Sequence, residues 1–222
     1  MACNSGKEPG LDNEPYDLMQ FIQLGGILMW PIMVCSIVAL AITLERLWRL
    51  RRAQTGMREF VDAMRSILRQ RRIQEALTLC DESDTPVARV VKAGVLKHDR
   101  PKADIREAME SAGRLEVPRL ERYLGALATI TSVAPLLGLL GTVMGMIKCL
   151  SVILHKAGQV IPGDLAEGIG NALVTTAAGL TVAIPSLIAY NYLVSRVDNL
   201  VLEMEVNSSD LVDLIARDED ER

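Results

Sequence analysis

Three stretches without a single Asp, Glu, Lys, Arg or His constrain what this 222-residue chain can fold into: Leu18 to Leu44, Tyr123 to Ile147 and Gly168 to Ser195. A helix rises about 1.5 Å per residue and a bilayer core is about 30 Å thick, so each stretch is long enough to cross a membrane. Half of the residues are apolar, yet 23% are charged. Such a chain satisfies both numbers only by segregating its charges outside the spans. The fold class expected is an all-α integral membrane protein with three transmembrane helices. A helical insert separates the first two, and the second and third helices are long and extend to the insert's side.

Positive charge assigns the sides. Of 24 Lys and Arg, one precedes the first span, 18 lie between Glu45 and Arg122, two lie between Lys148 and Glu167, and three follow Ser195. Arg46, Arg49, Arg51 and Arg52 crowd the end of the first span, and Arg114, Arg119 and Arg122 crowd the start of the second. Basic residues beside spans stay in the cytoplasm. The order expected is a periplasmic tail at 1–17, a first span at 18–44, a cytoplasmic insert at 45–122 and a second span at 123–154. A periplasmic loop at 155–167, a third span at 168–195 and a cytoplasmic helix with an acidic tail at 196–222 complete it. Cys3 has no apolar region before it, and the first run is too long and too far in to be a cleaved signal peptide, so it reads as a retained anchor.

The insert is patterned as helix. Met57, Phe60, Val61, Met64, Ile67 and Leu68 recur on one helical face, Ile73 to Cys80 forms a short second piece, and Asp84-Thr-Pro86 is a start signal for Val87 to Leu96. Asp104 to Leu120 then leads to the second span. No phosphate loop, catalytic nucleophile with its base, or metal-ligand spacing stands out, and Cys3, Cys35, Cys80 and Cys149 share no segment. The chain therefore reads as no enzyme, with no cofactor and no metal. Interleaved acids and a net charge of −4 favour a solvated, lipid-side face over a nucleic-acid surface.

The second and third spans are too polar for lipid. Thr131, Pro135, Gly138, Thr142 and Gly145 or Met146 make a stripe of small and hydroxyl-bearing residues along the second. Asn171, Thr175, Gly179 and Ala183 follow at steps of four along the third, with Thr176 beside them. Such faces pack against protein, each Thr bonding a carbonyl one turn back, or line a polar path. Because no group inside the spans titrates near neutral pH, a proton relay along that path needs a carboxylate from another chain.

The run Ala134-Pro-Leu-Leu-Gly-Leu-Leu-Gly-Thr-Val-Met-Gly-Met146, with Gly-Ile-x-x-Ala-Leu-x-x-Thr-Ala-x-Gly-Leu and Ala-Ile-Pro-x-x-x-x-Tyr-Asn within Gly168 to Asn191, closely resembles the MotA/TolQ/ExbB proton-channel family, nearest to the ExbB and TolQ branch. The resemblance extends over nearly the whole chain. It implies a homo-oligomeric ring, by analogy a pentamer, in the bacterial inner membrane, around two copies of a single-span ExbD/TolR-like partner. In the family the partner's Asp titrates and ring threonines face it, at positions matched here by Thr142 and Thr176. The proton motive force would then drive work on a periplasmic or outer-membrane process. A non-conducting scaffold and a sodium-driven version are the alternatives.

One departure bears on the pathway. The branch usually carries Glu five residues before the span-three Thr, where this chain has Asn171. An amide neither takes up nor releases a proton at any relevant pH, so a relay role does not carry over to it. Glu167, one turn earlier, is the substitute carboxylate to weigh against a purely structural role at a helix N-terminus.

Overall fold

The computed structural model describes residues 26–155 and 162–216, without the side chains of Pro162, Asp164 and Glu167. The expected N-terminal tail, the start of the first span, residues 156–161 of the expected periplasmic loop, the Glu167 carboxylate and the acidic end lie outside the described residues. A 3-10 turn at Gly26–Leu28 leads into α1 (Met29–Arg69), α2 (Ile73–Glu82), α3 (Pro86–Val95), α4 (Lys102–Leu120), α5 (Leu124–His155) and α6 (Pro162–Ala216). Three apolar stretches, within α1, α5 and α6, are long enough to cross a membrane. The protein is an all-α membrane protein, with no strand among the described residues.

Two of the helices outrun their apolar stretches. α1 continues through the arginine-rich stretch after Leu44 to Arg69, so span and insert share one helix without a break. It stops where Arg71 takes a left-handed backbone (φ 58°), while the amides of Gln70, Arg71 and Arg72 close back onto Ile67 and Leu68 carbonyls. α6 begins at Pro162, before the charge-free run, and continues to Ala216. α3 starts as the sequence signals: Thr85 accepts a hydrogen bond from the Ala88 amide at 3.3 Å and Pro86 occupies the first turn.

The chain divides into two compact units. One contains the described residues up to Met33 with Pro135–Leu180; the other contains Val34–Ala134 with the described residues from Thr181 onward.

The second unit holds the larger apolar core. The α1 face expected from sequence supplies Met57, Phe60, Val61, Met64 and Leu68, all buried. From α6 come Leu193, Val197, Leu200, Met204, Leu211 and Ile215, and with buried Ser208 they follow one another at steps of four, three, four, four, three and four residues, which keeps them on one helical face. Val87, Val91 and Val95 of α3 and Ile105 and Met109 of α4 fill the same core. α3 and α4 approach closely at Gly94, where a Cβ would come within 2.4 Å of the Met109 sulfur. Polar ties hold the rim: Arg65 of α1 reaches Asn207 at 3.2 Å and Asp210 at 3.0 Å on α6, and Lys102 of α4 pairs with Asp213 at 2.7 Å.

Candidate functional site

In the first unit α5 and α6 run antiparallel and touch through small residues. A Cβ added to Gly138 would lie 3.0 Å from the Thr176 Cα, one on Gly141 would lie 2.4 Å from the Thr175 side chain, and one on Gly145 would lie 2.6 Å from the Ala172 Cβ. At the far end, a Cβ on Gly168 would lie 2.4 Å from the Cys149 sulfur. Backbones this close exclude any larger side chain, so dispersion and polar contacts hold the helices together where lipid supplies no hydrophobic drive.

The face of α6 that packs here is set by the helical repeat. Gly168, Ala172, Thr175 and Gly179 are buried, at steps of four, three and four residues. The sequence stripe at strict steps of four starts from Asn171, which the structure leaves half-buried beside Ala172. With 3.6 residues per turn, a strict four-residue step drifts around the helix, and alternating three- and four-residue steps stay on one side. Gly141 plays a comparable part on α5, four residues before Gly145 and within the quoted family motif though off the small-residue stripe.

Two adjacent threonines of α6 use their hydroxyls differently. Thr175 is 2% exposed and donates to the Asn171 carbonyl, one turn back, at 2.8 Å. Thr176 is half-buried and donates across to the Gly138 carbonyl of α5 at 2.9 Å. That bond is possible because Gly138 lacks a Cβ, which would lie 3.0 Å from the Thr176 Cα and hold the two backbones apart. On α5, half-buried Thr142 donates to the Leu139 carbonyl at 2.7 Å. The structure thus brings Gly138, Thr175 and Thr176 into one interface, with Thr142 on the next turn of α5. Thr131 belongs to the other compact unit, where its hydroxyl donates to the Ala128 carbonyl at 2.7 Å.

Electrostatically, Thr142 and Thr176 share one property. Their protons are committed to backbone carbonyls, so each oxygen offers its remaining lone pairs to whatever approaches and acts there as an acceptor. Acceptors suit a protonated carboxyl, water or a cation. An ionised carboxylate would require the hydroxyls to turn and abandon their backbone bonds.

Comparison with known proteins bears on the same residues. The MotA/TolQ/ExbB proton channel family matches residues 82–206, which include all of α5 and most of α6. A biopolymer transport protein ExbB-like 1 of Synechocystis is 35% identical over 193 residues, covering 83% of this chain and 73% of the relative. The biopolymer transport protein exbB1 of Vibrio cholerae is 31% identical over 193 residues, covering 85% and 84%. An ExbB homolog of Methanothermobacter thermautotrophicus is 29% identical over 190 residues, covering 85% and 67%. The chain belongs to the MotA/TolQ/ExbB proton channel family, in its ExbB and TolQ branch.

Proposed function

We propose that this protein is the ring-forming subunit of an ion-driven motor in the bacterial inner membrane. It encloses two copies of a single-span partner of the ExbD/TolR type and energises a periplasmic or outer-membrane process, with the N-terminus periplasmic and the C-terminus cytoplasmic. The observation that carries the reading is the pair of hydroxyls on Thr142 and Thr176, whose protons are held by the Leu139 and Gly138 carbonyls. Two acceptor oxygens, one on α5 and one on α6, stabilise a partner Asp in its protonated form. They disfavour its ionised form until the hydroxyls reorient. Protonation of the partner thus couples to a local rearrangement of α5 against α6. Gly138, Thr175 and Thr131 serve this reading as packing and path-lining positions, and Asn171 contributes an amide in place of the usual carboxylate.

The test is side-chain replacement in the chain co-expressed with its partner. Thr176→Val removes both the acceptor and the bond to Gly138, whereas Thr176→Ser keeps both. Coupled activity lost in Val, retained in Ser, with the complex still assembled, supports the reading; full activity in Thr176→Val and Thr142→Val overturns it. Asn171 favours the second reading, a scaffold that conducts nothing. A conducting subunit should respond to Asn171→Glu, and a scaffold should not.

A further inference from the structure

Arg46 is a buried charge with unmade bonds. It is 3% exposed, and one guanidinium nitrogen donates to the Leu120 carbonyl at a long 3.5 Å. Its Nε faces the Glu45 carboxylate at 3.1 Å as an ion pair without hydrogen-bond alignment, and Nη2 has no partner. Leaving a buried guanidinium donor unmade is costly, and an incoming anion would offset that cost. Arg46 lines a cleft of about 780 Å³ in the second unit, whose wall carries six arginines against three carboxylates.

Those carboxylates are largely occupied. Asp84 pairs with Arg89 at 2.9 Å, and Glu116 pairs with Arg89 at 2.8 Å and Arg119 at 2.6 Å. Glu82 remains as the third, on the same wall. Arg122 and Arg52 lean on rings instead: Arg122 lies 4.7 Å from the Tyr123 ring centre, which Arg46 also approaches at 5.0 Å, and Arg52 lies 5.9 Å from that of Trp48. Arg46 lies two residues after the first apolar run, behind Glu45, and Tyr123 opens the second, while Trp48 is 65% exposed. Tryptophan and tyrosine at the ends of spans mark the level of lipid headgroups. Guanidinium groups match phosphate oxygens in pairs of parallel hydrogen bonds.

We propose that this cleft binds the phosphate of an anionic phospholipid headgroup, with Arg46 Nη2 as the inner donor and Arg52 and Arg122 as the outer ones. The inference is independent of ion conduction, because it needs only the membrane placement of the spans. It ties the end of the first span to the start of the second through a lipid.

Native mass spectrometry of the full chain in neutral detergent tests it, with phosphatidylglycerol and phosphatidylcholine as probes and millimolar inorganic phosphate as competitor. Phosphatidylglycerol should be retained about tenfold more tightly, and Arg122→Gln or Arg52→Gln should each reduce that preference about fivefold. Arg46→Gln should abolish it. If that buried substitution fails to fold, the two outer positions decide the matter. Equal retention of both lipids, or an unchanged preference in the Arg122 and Arg52 variants, would overturn the proposal. So would complete displacement by inorganic phosphate, which would mark a free-anion site, or a carboxylate of a neighbouring copy found seated in the cleft.

Discussion

At the scale of single residues, burial decides what a side chain can do. Glu116 is 3% exposed and holds Arg89 and Arg119, and its hydrogen bond to Arg89 raises the already high pKa of that guanidinium. Removing its charge with Glu116→Gln should cost about 2 kcal/mol, because both arginines lose a charged acceptor while their own exposure limits the loss. Thermal unfolding in detergent measures this. Arg119→Gln, at an arginine 66% exposed, should cost less than about 1 kcal/mol. Cys80 is 4% exposed, and burial pushes its thiol up to about 11. Between the ordinary thiol range near 9 and about 11 the folded chain keeps a proton that the unfolded chain releases, so stability should fall as pH rises through that window. Below it the thiol is neutral and inert. Iodoacetamide mapping at pH 8 should leave Cys80 unmodified in the native protein and modify it in denaturant; rapid native labelling would contradict its burial.

Among the elements, the α5–α6 contact rests on glycines whose backbones approach other atoms too closely for any side chain. Gly138→Ala places a methyl 3.0 Å from the Thr176 Cα and disturbs the carbonyl that Thr176 bonds. Its expected result is a clear loss of melting temperature and of assembled complex. Gly170→Ala, where nothing lies within 4 Å, is the control and should be neutral. The α3 cap offers a simpler case: Thr85→Ala removes the acceptor for the Ala88 amide and should cost about 1 kcal/mol. These features differ in legibility. The α3 start was readable because Asp84-Thr-Pro86 acts on its own neighbours, and the α1 face because its period is local. Gly138 could be placed on a stripe, but its partner across the interface could not be chosen, since nothing along α5 specifies which turn of α6 it meets.

For the whole molecule, charge asymmetry leads to a prediction about sides. With 18 of 24 basic residues between Glu45 and Arg122, the loop before α4 should face the cytoplasm. In an otherwise cysteine-free chain, Arg100→Cys should resist a membrane-impermeant maleimide in intact cells and react in inverted vesicles; the opposite pattern would reverse the orientation. The amino-acid sequence by itself determined that this is a three-span helical membrane protein with a helical insert, because charge-free length and helical periodicity are properties of contiguous residues. It also carried the family motifs around Thr142 and Thr176. Only the tertiary structure decided that Thr175 is buried while Thr176 bonds across to Gly138, and that span and insert share the unbroken helix α1. It alone brought Arg46 and Arg122, far apart in sequence, to one cleft. The placements of Thr175, Thr176, Arg46 and Arg122 depend on how one helix is rotated against another, and a rotation fixed by side chains on a different segment is not written in either segment alone.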